Sequence, residues 1–75
     1  MAGERYYHFY LNISTDELMR VYTGSAQRLR VRSDEGPVID IDANHLRSYT
    51  TRSGITGHFR LVISESNKFL RLERI

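Results

Sequence analysis

Two stretches of strict alternation dominate the chain. In Arg5–Ile13, Tyr7, Phe9, Leu11 and Ile13 alternate with Tyr6, His8 and Tyr10; in Arg28–Arg32, Leu29 and Val31 alternate with Arg28, Arg30 and Arg32. Successive side chains of a strand project to opposite faces of its sheet. Each stretch therefore predicts a strand with an apolar inward set and an aromatic or arginine outward set. Val38–Asp42 repeats the pattern, with Ile39 and Ile41 inward and Asp40 and Asp42 outward. The turn formers of Ser33-Asp-Glu-Gly-Pro37 separate it from the arginine strand, which predicts a hairpin with aspartates facing arginines across the ladder. Further on, Phe59, Leu61 and Ile63 alternate with Arg60 and Val62. After a turn at Glu65-Ser-Asn67, the segment Lys68–Arg74 offers Phe69, Leu70 and Leu72 to a core and leaves Arg71, Glu73 and Arg74 to water.

One segment has a helical period instead. Ser14-Thr-Asp-Glu17 is a capping box, in which the serine hydroxyl and the glutamate each satisfy an amide of the first turn. Leu18, Val21 and Tyr22 then form one apolar stripe, and Gly24 is placed to end the helix in a left-handed conformation. A helix this short is marginal alone, so it must be held against the sheet. Ala43–Arg47 predicts a single turn capped by Asp42, and Ser48–Arg52 a strand or an extended loop. Gly54-Ile-Thr-Gly57 predicts a tight turn that needs glycine dihedrals. The order is strand, short helix, then mostly antiparallel strands. It predicts an α+β domain with a sheet of about five strands in total, curled toward a small barrel to limit its exposed edges. No repeat or linker divides the 75 residues, so residues 1–75 are read as one domain in which the first four are dispensable.

A chain of this length buries only about 60% of the surface its unfolded form exposes. With no cysteine, neither disulfides nor thiolate zinc sites add to the core, which leaves a metal held by other ligands or a partner subunit as the supplement. The start has no apolar leader-like run, and no apolar run approaches the roughly 20 residues that span a bilayer, so a cytoplasmic protein with no membrane contact is expected. The net charge is only +2, yet ten of the eleven basic residues are arginine and Lys68 is the only lysine. Arginine's planar fork suits phosphate and carboxylate, although a GC-rich genome produces the same bias. The distribution adds more: Arg28, Arg30 and Arg32 form a positive stripe, and Asp34, Glu35, Asp40 and Asp42 a negative one beside it.

Catalytic chemistry finds little support. No serine lies in a nucleophile elbow, and no glycine-lysine-serine or glycine-lysine-threonine sequence marks a phosphate loop. Asp40, Asp42 and His45 form a D-x-D-x-x-H pattern whose oxygens and imidazole could serve a divalent metal, but a solvated strand ending in a helix cap is the commoner origin of such a pattern. Gly54–Gly57 resembles the GxxG loop of KH domains, which joins two helices where strands are expected here. The chain is therefore read as a non-enzyme without cofactor, metal or small-molecule substrate. Two binding classes remain. Tyr6, His8 and Tyr10 could stack on bases of RNA or single-stranded DNA while Arg28, Arg30 and Arg32 hold phosphates. The leading alternative is a protein-interaction module, self-associating or not, that uses the apolar C-terminal strand ending in Leu70, Leu72 and Ile75. Asp40 and Asp42 opposite the arginines weaken the nucleic-acid reading, and strand order decides whether the aromatic and arginine sets share a face.

Several landmarks recur in order along the chain: Leu-Asn-Ile-Ser at Leu11–Ser14, the helix ending in Tyr22 and Gly24, Val-Arg-Ser at Val31–Ser33, Leu46-Arg47, Gly54–Phe59 and Asn67–Glu73. Together they resemble the short bacterial proteins grouped as domain of unknown function 2835, over nearly the whole chain. Where that family has proline and phenylalanine after the Leu-Arg pair, this chain has Ser48 and Tyr49. The resemblance implies a single bacterial cytosolic domain, and it brings no activity, cofactor or catalytic residue with it.

Overall fold

The computed structural model describes residues 3–24 and 27–75. Five strands and two helical segments follow one another: β1 (Glu4–Ile13), α1 (Thr15–Thr23), β2 (Arg28–Arg32), β3 (Val38–Asp42), a 3-10 helix (Ala43–Tyr49), β4 (Ile55–Ser64) and β5 (Phe69–Arg74). The α+β class, the single α-helix after the first strand and the antiparallel pairing all match the alternation. The sheet does not. Instead of one sheet curling toward a barrel, there are two: β1-β4-β5, with β4 central, and the hairpin β2-β3. The barrel does not close. β1 begins at Glu4, one residue before the boundary read from the sequence, while Met1 and Ala2 of that stretch lie outside the described residues.

The inward sets meet in one core. Phe9, Leu11, Leu18, Ile41, Leu46, Ile55, Phe59, Leu61 and Leu72 are buried together, with Tyr7, Ile13, Tyr22, Leu29, Val31 and Ile39 packed half-buried around them. Phe59 organises the centre, with Phe9 stacked at 5.9 Å between ring centroids and Tyr49 edge-on at 5.2 Å. The capping box forms in half: Ser14 Oγ accepts from the Glu17 amide, while the Glu17 carboxylate accepts from the Ser14 hydroxyl instead of reaching the Ser14 amide. The end of the helix differs from the prediction. Gly24 has φ −69° and is extended, so the helix stops without a left-handed residue. Positive φ values fall at Gly54 (+110°), where the chain turns into β4, and at Gly57 (+145°), inside β4 itself, so the tight turn spans Thr51–Gly54 rather than the expected Gly54–Gly57. At Gly54 a Cβ would meet the Ile13 carbonyl, so the tight turn there excludes any side chain. Asp42 caps the 3-10 helix by accepting from the Asn44 amide. That helix runs on to Tyr49, which replaces the strand or loop expected from Ser48.

Backbone geometry identifies which strand edges are free. In an antiparallel ladder only alternate pairs exchange hydrogen bonds. Ala43 N–H donates to Gln27 and Ser33 N–H to Pro37, which continue the β2-β3 register at either end. Leu29–Ile41 and Val31–Ile39 are therefore the bonded pairs, and the main-chain groups of Val38 and Asp40 point away from β2. The same parity turns His8 toward the outer edge of β1 and Leu72 toward the outer edge of β5. Each of those edges is engaged at that one residue. Asp34 N–H donates to the His8 carbonyl at 2.6 Å, and the Tyr49 hydroxyl donates to the Leu72 carbonyl at 2.7 Å.

Candidate interaction site

Two outward faces carry the residues singled out by the sequence, and they lie on opposite sides of the molecule. Because the inner faces of both sheets converge on one core, Tyr6, His8 and Tyr10 project from one side, and Arg28, Arg30 and Arg32 from the other. The aromatic and arginine sets do not form one platform.

The aromatic face is largely self-contained. The Tyr6 hydroxyl donates to Glu4 Oε1 at 2.8 Å, Arg71 reaches the same oxygen at 3.3 Å, and Arg71 and Arg60 share the carboxylate of Glu73. Arg60 closes the circuit by lying 5.6 Å from the Tyr6 ring centroid. Register places Val62 between Tyr6 and Arg71, in the middle of this ring of contacts. There it is fully buried, although the alternation assigned it to solvent. The Tyr6 hydroxyl and Arg71 hold the Glu4 carboxyl below its ordinary range. The same bond to Glu4 raises the Tyr6 phenol, and Arg60 followed by Arg71 lowers the Glu73 carboxyl. Tyr10, with 53% of its surface exposed, is the open aromatic of this face.

Next to Tyr10, the β2-β3 turn folds over the edge of β1. Glu35 takes both the backbone N–H of His8, at 2.8 Å, and its imidazole Nδ1, at 2.6 Å. These bonds, the amide first, hold the Glu35 carboxyl below its ordinary range. Asp34 receives the Nε2–H of His58 at 2.8 Å. Two histidine-carboxylate pairs and two backbone bonds thus fasten the turn. His8 is consequently a structural tie as well as a surface group, a role that needed the hairpin turn to be placed in space.

The arginine face bears out the hairpin pairing only in part. Arg30 Nε lies 3.2 Å from Asp40 Oδ1. Arg32 instead donates to the Gly36 carbonyl, and Arg28 stands opposite Asp42, whose Oδ1 is engaged in the helix cap.

The outer edge of β3, one of the two unpaired edges of the hairpin, borders a cleft. Two adjoining hollows of about 210 and 270 Å³ run between β3 and the β4-β5 turn. Leu61 and Ile63 form their shared apolar floor, and Asp40 and Asn67 flank both. Phe69 and Val38 stand at the walls, 39% and 49% exposed, and His45 stacks flat on Phe69 at 3.6 Å. The main-chain groups of Val38 and Asp40 have no hydrogen-bond partner among the described residues. Asp40, Asp42 and His45 do line the same hollow, yet among the described residues no three His, Cys, Asp or Glu side chains come together as metal ligands. The alternation along the chain does not announce this cleft, because it arises between two sheets that do not close. Only the apolar character of Val38 and Phe69, each at the first position of its strand, hinted at surface left over.

Among the described residues no helix is long and apolar enough to cross a membrane. No curated protein and no solved structure matches the chain. A family model does, over residues 5–75, under the description Protein of unknown function (DUF2835). With the match spanning β1 to β5, the chain belongs to that family.

Proposed function

We propose that this protein is a non-catalytic protein-interaction module that takes an extended segment of its partner along the free edge of β3. The carrying observation is the coincidence of unsatisfied main-chain groups at Val38 and Asp40 with an apolar cleft beside them. An added strand would satisfy the edge through backbone hydrogen bonds and place alternate side chains in the cleft. His8 on β1 and Leu72 on β5 are engaged by the molecule's own groups, and the cleft lies beside β3, which directs the reading to that edge. A second copy of the chain is one form this partner could take. The nucleic-acid alternative has less support. Its two residue sets lie on opposite sides, and Tyr6 and Arg30 are already engaged by Glu4 and Asp40.

The test is affinity capture from nuclease-treated lysate with the wild type and with Asp40→Pro. Proline removes the free-edge N–H while leaving the bonded pairs to β2 intact, and it is tolerated on edge strands for that reason. Circular dichroism establishes that the variant is folded, and Val38→Pro serves if it is not. A defined protein kept after nuclease by the wild type and lost from the proline variant is the expected result. Loss of every partner to nuclease, or capture indifferent to the proline, overturns the reading.

A further inference from the structure

Resting on that reading, we infer that the segment received by β3 alternates apolar with basic residues, the pattern that β3 already accepts from β2. On its bonded side β3 is matched by Arg28-Leu-Arg-Val-Arg32. There Leu29 and Val31 meet Ile41 and Ile39 inside, and Arg30 meets Asp40 outside. Cross-strand neighbours on one face set the preferred pairing of a sheet, favouring opposite charges and disfavouring like ones. A strand added at the other edge of β3 has the same neighbours: Val38, Asp40 and Asp42 on its outer face, and the cleft floor of Leu61 and Ile63 on its inner face.

Asp40 is the residue that imposes the sign. Arg30 uses only Oδ1, and the Arg30 side chain is 76% exposed, so this existing pair is weak. Oδ2 has no partner among the described residues. Asp42 adds negative charge but is held in the helix cap opposite Arg28. The outer row of the hairpin therefore presents arginines on β2 and aspartates on β3, and a basic row completes it at the free edge. The apolar residues of the incoming strand would lie over Ile63 and against Phe69.

Fluorescence anisotropy with labelled peptides reads this out. The probes are glycine-flanked Arg-Leu-Arg-Val-Arg, its acidic counterpart Glu-Leu-Glu-Val-Glu, and Arg-Ser-Arg-Ser-Arg, which has the charge without the apolar side chains. The first is expected to bind about tenfold tighter than the second, the sum of one attraction gained and one repulsion removed. It should also exceed the third, and Asp40→Asn should erase most of the preference over the acidic probe. Asp40→Pro should abolish binding of the first probe, which also excludes a peptide that merely displaces β2. Equal binding of basic and acidic probes, both lost in Asp40→Pro, overturns the charge inference and leaves strand addition standing. Binding untouched by the proline overturns both. Absence of binding by every probe overturns the inference, while the capture experiment decides strand addition separately.

Discussion

The three-stranded sheet and the two-stranded hairpin are written in the same alternating code but finished differently. The larger sheet is fastened at points along its rim: the Asp34-Glu35 turn ties β1 at His8, Tyr49 ties β5 at Leu72, and a ring of charges and an aromatic covers Val62 on its outer face. The hairpin has one exposed ion pair on its outer face, and among the described residues no partner for the outward main-chain groups of Val38 and Asp40. A strand edge left uncovered is an aggregation hazard that folded proteins ordinarily suppress. The uncovered stretch of β3, which lies beside the apolar cleft, is the place to look for a partner.

The largest effect should come from the core of the sheet. Phe59→Ala removes the ring on which Phe9 and Tyr49 rest and should cost about 3–5 kcal/mol, enough to unfold a domain this small. Ile39→Ala, in the half-buried inner face of the hairpin, should cost about 1–2 kcal/mol. Denaturant titration of the two variants measures the contrast, and equal losses would show that the hairpin is as deeply anchored as the sheet.

The next effect concerns the covered edge. Glu35→Gln weakens the acceptor for the His8 amide and the tie to its imidazole. Hydrogen exchange at His8 should accelerate, while Phe9, whose amide faces β4, should keep its protection. Unchanged exchange at His8 would mean that the turn does not guard this edge.

Acid should loosen the sheet before it affects the hairpin. The Glu4, Glu35 and Glu73 carboxyls all titrate below their unfolded values, held there by Tyr6, His8 and Arg60 respectively. A depressed folded pKa contributes stability that is present above the unfolded value and lost as pH falls through the folded one. Thermal midpoints should therefore hold steady from neutral pH down to about 5 and fall below that. Glu73→Gln should flatten part of the fall. A midpoint that drops between pH 7 and 6 would point to other groups.

The smallest effect is expected at Arg30. Replacing it by alanine breaks an exposed pair and should change stability by less than about 1 kcal/mol. A larger loss, measured by the same titration, would place the arginine row among the supports of the fold.

Much of this was legible in the alternation. Phe9, Leu11, Ile41, Phe59, Leu61 and Leu72 stand on inward rows and are buried, the serine half of the capping box at Ser14 forms, and Asp42 caps the segment that follows it. These are local signals, carried by residues a few positions apart. What escaped needs distant segments to meet. Val62 is apolar on the outward row, and nothing nearby in the chain announces that Glu4, Tyr6 and Arg71 will enclose it. The alternation offers His8 only as an outward ring, whereas its ties reach Asp34 and Glu35 across the helix and β2. The split into two sheets, and with it the cleft, depends on which edges fail to pair, a property of the whole arrangement.

The Asp34-Glu35 turn has a second consequence. Among the described residues, its bonds to His8 and His58 are the only hydrogen bonds between the hairpin and the three-stranded sheet. The hairpin is thus hung from the sheet by this turn, whose last residue, Pro37, already lines the second hollow. Guarding β1 and setting the position of β3 are therefore one mechanical act, so a residue inserted into or deleted from this turn would reshape the cleft along with the edge of β1.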